Sequence, residues 1–320
     1  SKAGAEKYHS AMVPHVHTKD SRSWREVSRL GAELGRLDEL LGARGEAETA
    51  ILLDWESWWA LELDSRPSTA VRMLEGVYYF YKPLYEANVP VDFAHPGSDL
   101  SSYKLVIAPN LYLVTDESVQ NILGFVVDGG TLLMSFFSGI VDARDHIRLG
   151  GYPAPFRELL GLRIEDFVPM ASGETNHLDT RSGESYSCDL WADLIHPEGA
   201  EPLASYTDNF YAGTPAATRN TFSEGTAYYL GTRPEERYTK SLLKRIYEET
   251  GVRPTADVPP GVDAVRRKTE EASFLFVLNH GKEAAEIRLP KPGRDLLTGT
   301  EHDAKLTLDP LEVAVLKERG

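Results

Sequence analysis

The sequence is poor in cysteine and has no long apolar run. Cys188 is the only cysteine among 320 residues, which excludes an internal disulfide and any cysteine-based zinc cluster within the chain. This composition favours a reducing, cytoplasmic setting. No apolar run approaches the ~20 residues that a transmembrane helix needs. We therefore expect no membrane-spanning helix.

Positive charge is also in short supply. Lysine and arginine number 34 against 49 aspartates and glutamates, for a net charge of −15 at pH 7. Nucleic acid and anionic membrane surfaces are also negatively charged and would be repelled by this chain, so neither is expected as a partner. No G-x-G-x-x-G follows a predicted strand and no Walker motif occurs, which excludes the common phosphate-binding loops. The proportions of hydrophobic and charged residues, 42% and 26%, are those of an ordinary globular protein.

The first segment, residues 1–47, combines a polar turn with a helix. Apolar residues recur at helical spacing up to about Leu41, and Asp20 or Ser21 is expected to cap the start of this helix. Gly42 is expected to end it. The helix would link whatever precedes it to the next domain.

Residues 48–253 alternate apolar strands with helices. Strands are predicted at 49–53, 89–93, 105–109 and 131–135, and helices at 70–87, 116–127 and 238–249. Thr115 or Asp116 is the expected N-cap of the second helix. Nearly continuous apolar strands that alternate with helices are typical of a parallel sheet covered on both faces. We expect a doubly wound, flavodoxin-like α/β fold, with additional strands and loops over residues 165–226.

The pattern changes to short strands in residues 254–320, after a proline-containing linker. Partial period-two alternation predicts strands at 262–267, 273–279, 284–289 and 311–317. The sequence His280, Gly281, Lys282 is expected to form a hairpin turn between the second and third of them. These residues are predicted to form a small antiparallel β-sandwich.

Glu6 and His9 are three residues apart near the start of the chain. On a helical turn this spacing places a carboxylate beside an imidazole on one face. A carboxylate can accept hydrogen bonds from two vicinal hydroxyl groups, while a neutral imidazole both donates and accepts. The pair would therefore suit a hydroxylated ligand. The alternative is a surface glutamate next to a packed histidine.

Several stretches, taken together, resemble one enzyme family: AEKYHSAMVPH at 5–15, GGTLLMSFFSGIVD at 129–142, LGGYP at 149–153, PFRELLG at 155–161, FLFVLNH at 274–280 and DLLTG at 295–299. The family is glycoside hydrolase family 42, the microbial β-galactosidases. The first stretch resembles the end of the family's catalytic barrel. The next three resemble its trimerisation domain, and the last two resemble its small C-terminal β-domain.

The resemblance implies that the complete enzyme hydrolyses terminal non-reducing β-D-galactose residues with retention, needs no added cofactor and forms a homotrimer. It also implies that Glu6 and His9 contact the galactosyl unit. The family's acid and nucleophile glutamates lie in the barrel, and a (β/α)₈ barrel takes about 250 residues, for which the observed pattern leaves no room. We therefore expect the catalytic carboxylates upstream, no catalytic residue in this segment, and no activity from this segment alone.

The middle domain also resembles, in outline, the class I glutamine amidotransferase fold, in which a cysteine lies on a tight turn after a parallel strand. The corresponding turn here, residues 134–139, contains no cysteine, and Cys188 lies well downstream. Ser135 and Ser138 are conceivable nucleophiles, but the G-x-S-x-G spacing is missing. A non-catalytic, amidotransferase-like assembly or binding module is therefore the alternative to a part of a galactosidase.

Metal binding is not expected. Glu-x-x-His is the ligand pair of di-iron bundles, and a second copy occurs at Glu174 and His177. A bundle would need four long amphipathic helices, whereas this sequence has an α/β pattern. His15 and His17 alternate, but no third ligand is suggested nearby.

Aromatic and acidic residues cluster early in the middle domain. The aromatic cluster is expected to fill an interface or the core rather than stack on a sugar, because tryptophan and tyrosine bury much area; it comprises Trp55, Trp58, Trp59, Tyr78, Tyr79, Phe80, Tyr81 and Tyr85. The acidic run beside it is expected to form a solvated loop rather than a catalytic pair: Asp54, Glu56, Glu62 and Asp64.

Overall fold

The computed structural model describes residues 21–319. They form two units: Ala47–Pro254 make one, and residues 21–46 together with 255–319 make the other. Within the described residues, no helix combines the length and the apolar character needed to cross a bilayer.

The helices and strands are numbered in chain order. Helices α1 to α6 span Arg22–Leu34, Trp55–Leu61, Met73–Glu86, Asp116–Val127, Arg157–Leu160 and Glu236–Thr250. Strands β1 to β11 span Thr49–Leu52, Val91–Ala94, Leu105–Ala108, Thr131–Ser135, Leu162–Pro169, Thr175–Thr180, Ser185–Pro197, Glu201–Tyr206, Pro215–Phe222, Gly225–Leu230 and Thr232–Pro234. Strands β12 to β18 span Val262–Lys268, Ser273–Asn279, Ala285–Arg288, Gly293–Asp295, Glu301–His302, Lys305–Leu308 and Val313–Glu318. Short 3₁₀ turns lie at Asp38–Leu40 and Ala154–Phe156.

The larger unit is built on one sheet, whose parallel part has the order β2-β1-β3-β4-β10. Alternate residues of its strands point to opposite faces, so that Ile51 enters one hydrophobic core while Ala50 and Leu52 enter the other. Residues of α3 and α6 belong to the first core, and residues of α4 and α5 to the second. The predicted α/β arrangement, with helices on both faces, is confirmed for this part of the sheet.

The other half of the same sheet is antiparallel. Strand β9 pairs antiparallel with β10, and the order continues β9-β8-β6-β7-β11, with β5 also paired to β7. The expected parallel sheet is therefore only part of a larger mixed sheet, and the additional strands expected over residues 165–226 form its antiparallel half. The sequence of this half is polar and interrupted by glycines, and its strands accordingly expose one side, as the alternating burial along β6 illustrates.

Helix boundaries agree with the sequence where a capping side chain marks them. The Thr115 hydroxyl accepts a hydrogen bond from the Ser118 amide at 3.0 Å, and α4 begins at the following residue, as predicted. Ser21 caps α1 in the same way, by accepting from Trp24. Helix α1 stops at Leu34 with Gly35 as its C-cap, however, rather than near Leu41. The glycine lacks a side chain to favour the helix, and that ends it earlier than the apolar repeat suggests.

The smaller unit contains two antiparallel sheets, with orders β12-β13-β18-β15-β16 and β14-β17. Residues of both sheets share one core that includes Leu275, Ile287 and Leu316. The predicted hairpin at residues 280–282 was wrong, because β13 and β14 lie in different sheets and the turn carries the chain from one sheet to the other. Arg44 adds an isolated antiparallel bridge to Lys268, so the segment before the larger unit packs on this sheet.

Candidate functional site

Glu6 and His9, the residues that the sequence singles out for sugar binding, lie outside the described residues. The same holds for His15 and His17. The structure therefore leaves their roles as predictions. Within residues 21–319, the places where chemistry is expected are the carboxyl ends of the parallel strands, where α/β folds bind ligands.

The turn after β4 holds two buried serines that the sequence offers as nucleophiles. The Ser135 hydroxyl accepts a hydrogen bond from the Asn110 amide at 2.9 Å. The Ser138 hydroxyl accepts from the Leu111 amide at 2.9 Å and donates to the Ser135 carbonyl oxygen at 2.8 Å. Both side chains are buried and tie the loop after β3 to the loop after β4. Among the described residues no histidine is hydrogen-bonded to either serine, so no activated nucleophile is present there.

The same turn places Phe137 in the left-handed region, with φ of 57°, which is uncommon for an aromatic residue. The Phe137 ring lies 4.7 Å from the Trp191 ring and 5.0 Å from the Tyr112 ring, measured between centroids. Phe136 and Phe167 also stack on Trp191, at 5.7 and 4.9 Å. A strained turn that could carry a nucleophile thus carries an aromatic anchor for the core.

Cys188 on β7 is buried and has no catalytic character. Burial raises the pKa of its thiol to about 11, although a hydrogen bond with Thr232 acts in the opposite direction. A thiol with this pKa is protonated at neutral pH and is a poor nucleophile. Cys188 therefore belongs to the packing of β7.

The two residues of the second Glu-x-x-His copy have different partners in the fold. Glu174 precedes β6 and accepts a hydrogen bond from the Ala171 amide at 2.9 Å. His177 lies on the exposed side of β6, with Nδ1 3.3 Å from an Asp208 carboxylate oxygen. Over residues 21–319, no group of three or more histidine, cysteine, aspartate or glutamate side chains is placed to hold a metal ion.

The acidic run beside the tryptophans spans helix α2, its two caps and the exposed bend that follows, so the expected solvated loop is correct only for Asp64. Asp54 is buried and caps α2 by accepting from the Glu56 amide at 3.0 Å. Glu62 accepts from the Trp58 indole nitrogen at 2.8 Å and from the Met73 amide at 3.2 Å. These carboxylates organise the junction from α2 to α3, and capping would have been the informative signal.

Asp193 is a buried carboxylate that sequence reasoning missed. It lies on β7, accepts from the Trp191 indole nitrogen at 2.7 Å, and accepts from the Tyr229 hydroxyl at 2.7 Å. Burial raises its pKa to about 7, and the two hydrogen bonds only partly oppose this effect. Nothing in the local sequence distinguishes it from an exposed strand aspartate, because its burial depends on β10 and on the turn after β4.

This pKa predicts a pH dependence of stability. Between pH 4 and 7 the folded protein keeps a proton on Asp193 that the unfolded chain, with a pKa near 3.8, has released. The unfolding free energy therefore falls as pH rises through this window and levels off above it. Relative to Asp193→Asn, which does not titrate, the parent chain should lose about 2 kcal/mol between pH 5 and 7, at about 1.4 kcal/mol per pKa unit.

Urea unfolding of both proteins at several pH values measures this difference. Asp179→Asn, on the exposed side of β6, is the matched control for the change of residue type. A difference between the parent and Asp193→Asn that is the same at pH 5 and pH 8 would contradict the prediction.

A cleft of about 800 Å³ opens at the other end of the parallel strands, near the starts of β3, β4 and β10. Several of its polar side chains already have partners within the unit. Lys104 pairs with Glu48 at 2.6 Å, and the Asn121 amide donates to the carbonyl oxygens of Pro96 and Ser98. We assign no ligand to this cleft.

The described residues thus define a unit of the α/β class, joined in sequence to a small β-domain. Residues 47–253 match the family model described as beta-galactosidase trimerisation domain, and residues 261–318 match the beta-galactosidase C-terminal domain. The chain belongs to this family, glycoside hydrolase family 42, as its sequence resemblance predicted.

Individual relatives agree with the family match. Beta-galactosidase BgaB of Geobacillus kaustophilus is 44% identical over 321 residues, which cover 99% of this chain and 48% of that protein. The beta-galactosidase structure from Bacillus circulans sp. alkalophilus has a TM-score of 0.95 at 39% identity and covers 100% of this chain and 48% of its own. Gan42B, a GH42 beta-galactosidase from G. stearothermophilus, gives a TM-score of 0.94 at 34% identity, with 100% and 47% covered. The chain spans about half the length of the relatives it matches.

Proposed function

We propose that this chain is part of a β-galactosidase that hydrolyses terminal non-reducing β-D-galactose residues with retention. The observation that carries the proposal is the similarity over essentially the whole chain to proteins named beta-galactosidases. The half of those proteins that the chain does not match would contain the catalytic barrel with its acid and nucleophile glutamates. The described residues, which hold no nucleophile with a base, fit a supporting role.

The proposed division of the chain follows from this role. Residues 1–47 complete the barrel and lead out of it, residues 48–253 form the trimerisation domain, and residues 254–320 form the C-terminal β-sandwich. The bounds of the two family matches, 47–253 and 261–318, support this division. The strand order β2-β1-β3-β4 supports a flavodoxin-like origin for the middle domain.

Glu6 and His9 are proposed to bind the galactosyl unit. A carboxylate and an imidazole held side by side can satisfy neighbouring hydroxyl groups in one orientation only. A sugar whose hydroxyl points elsewhere would leave a buried polar group unpaired, at a cost of about 1–3 kcal/mol. The pair would thereby favour galactose over its epimers without taking part in bond cleavage.

Glu6→Gln and His9→Gln in the full-length enzyme should each lower kcat/KM for a β-galactoside by about 10- to 100-fold, which corresponds to the loss of one buried hydrogen bond. Steady-state kinetics on an aryl β-galactoside measure the effect. The 320-residue chain alone should give no saturable turnover in the same assay.

The second Glu-x-x-His copy supplies matched controls. Glu174→Gln and His177→Gln change the same residue types at the same spacing, but just before β6 and on its exposed side, where both have local partners, and should leave kcat/KM unchanged. Unchanged kinetics in the Glu6 and His9 variants would remove them from the sugar site. Turnover by the chain alone would place catalytic residues within it.

The full-length protein is further proposed to act as a homotrimer, in the cytoplasm, on a β-galactoside substrate, and without nucleic acid or membrane partners. The description of the matching family model supports oligomerisation through residues 47–253. The excess of acidic over basic residues supports the absence of polyanionic partners.

The alternative of a free-standing amidotransferase-like module is less well supported. The turn after β4 carries Phe137 where that fold would need a nucleophile, and Ser135 and Ser138 are committed to backbone hydrogen bonds. The similarity to galactosidases also extends beyond the α/β unit into residues 261–318.

A further inference from the structure

Helix α3 is apolar on two faces. Its inner face is buried in the core. The residues of this face are three or four positions apart, as expected for one side of a helix: Met73, Val77, Phe80 and Leu84. One position along, a second stripe contains Leu74, Tyr78 and Tyr85, which are exposed, and Tyr81, which is half-buried and packs against the first core. Glu75, Lys82 and Glu86 make other parts of the helix polar, but large apolar side chains on an exposed stripe are typical of a surface that another element covers. The outer face of α3 therefore has the composition of a covered surface.

The outer stripe continues onto the neighbouring strand. The Tyr81 ring stacks on the Tyr85 ring at 5.9 Å and on the Phe93 ring of β2 at 5.8 Å, between centroids. We call Leu74, Tyr78, Tyr81, Tyr85 and Phe93 the aromatic stripe. Strand β2 ends the sheet, and within the described residues its outer edge pairs with no further strand. Exposed sheet edges are commonly covered in a native assembly.

The exposure of the aromatic stripe is large for a monomer. Tyr78 is 60% exposed, Phe93 52%, Leu74 48% and Tyr85 45%. Since an aromatic side chain has roughly 150–250 Å² to bury, the stripe leaves on the order of 400 Å² of mostly apolar surface in water. A patch of this size matches the apolar centre of a protein interface that buries about 800 Å² per partner.

Charged residues beside the aromatic stripe are already paired within the chain. Lys82 lies 2.7 Å from Glu86 and 2.6 Å from Glu236, and Lys240 lies 2.7 Å from Glu86 and 2.5 Å from Glu236. This closed network joins α3 to α6 and leaves no charge that needs a partner from another molecule.

We propose that the aromatic stripe is the surface through which this chain binds a second copy of itself. The proposal rests on the homotrimer proposed above and names the surface that forms it. A second copy is the favoured occupant because the stripe lies within residues 47–253, the segment whose family model is described as a trimerisation domain. The charged residues beside the stripe are paired within the chain, so association through the stripe would depend on apolar contact.

The symmetry of a trimer determines how many interfaces a substitution in the aromatic stripe alters. In a closed three-fold ring each interface is head-to-tail, so the aromatic stripe of one copy meets a different surface of the next. Each of the three interfaces then contains one stripe. A single substitution in the stripe consequently alters all three interfaces at once.

Light scattering coupled to size exclusion on the 320-residue chain, at micromolar concentration, tests the proposal. The parent chain should be a trimer and should remain one in 1 M NaCl, because the contact is apolar. Tyr78→Glu should be a monomer. The substitution suits the isolated helix, since a glutamate four residues before Lys82 favours helix formation. Circular dichroism should show the same secondary structure in variant and parent.

Phe210→Glu is the matched control, because Phe210 is 75% exposed in the same unit but lies outside the stripe. It should remain a trimer. A trimeric parent with a trimeric Tyr78→Glu would overturn the assignment of the stripe while leaving the proposed homotrimer intact. Dissociation by both variants would also overturn it. A monomeric parent chain would refute assembly through these residues, and the inference with it.

Discussion

Replacing Trp191 by alanine is expected to lower the unfolding free energy of the α/β unit by about 3–5 kcal/mol. Its side chain is fully buried and touches the rings of Phe136, Phe137 and Phe167. Truncation opens a cavity where β5, β7 and the turn after β4 meet. It also removes the indole donor of Asp193 and leaves a buried oxygen with one partner fewer.

Trp191→Phe separates the two contributions. The phenylalanine keeps an aromatic ring in the core but lacks the indole N–H that donates to Asp193, so the unfolding free energy should fall by about 1–3 kcal/mol. Trp59→Ala makes the same truncation at a side chain that is 65% exposed and should stay within about 0.5 kcal/mol of the parent. Urea unfolding at one protein concentration compares the three variants. Equal losses for Trp191→Ala and Trp59→Ala would contradict the importance of the packing of Phe136, Phe137 and Phe167 around Trp191.

Arg266→Met is expected to destabilise the C-terminal β-unit by about 3–5 kcal/mol, because it leaves a buried carboxylate unpaired. The Glu318 side chain is 2% exposed and accepts two hydrogen bonds from Arg266, at 2.8 and 3.0 Å. The Ser273 hydroxyl adds a third at 2.6 Å. Burial alone raises the pKa of Glu318, but these hydrogen bonds outweigh it and hold the pKa below its ordinary value.

Two comparisons identify the charge as the cause. Removing both partners, in Arg266→Met with Glu318→Leu, should recover most of the loss, since an apolar pair fills the space without a buried charge. The loss in Arg266→Met alone should also shrink as pH falls and Glu318 takes up a proton. Hydrogen exchange of amides in β13 and β18 reports on this unit directly. A double variant as unstable as the single one would point to packing instead.

The sequence predicts local structure well where one residue decides it. Thr115 begins α4 because its hydroxyl can reach the Ser118 amide, and no distant contact is needed. The apolar strands near residues 49–52, 105–108 and 131–135 are also predicted from local sequence. Each is a run of consecutive apolar residues, which indicates a strand that is buried on both faces.

Features that depend on distant partners are not predicted. The hairpin expected at residues 280–282 requires β14 to pair with β13, but β14 pairs with β17, which a local pattern does not reveal. Burial raises the pKa of Asp193, and this burial arises only when distant parts of the chain pack together; the hydrogen bond from Tyr229 acts in the opposite direction. The sugar-binding role of Glu6 and His9 stays a prediction that depends on the family resemblance, since a Glu-x-x-His spacing alone also marks Glu174 and His177, which have separate partners in the fold.

Strand β10 has a consequence for how the chain folds. It joins the parallel and antiparallel halves of the large sheet. It pairs in parallel with β4, where Thr226 faces Thr131, and it pairs antiparallel with β9. On a growing chain, β4 must wait for all of β5 to β9 before its second neighbour exists. Long-range pairing of this kind slows folding and leaves an apolar strand edge open in the meantime. The antiparallel half is therefore no dispensable insertion, since its removal would turn β10 into a permanent open edge.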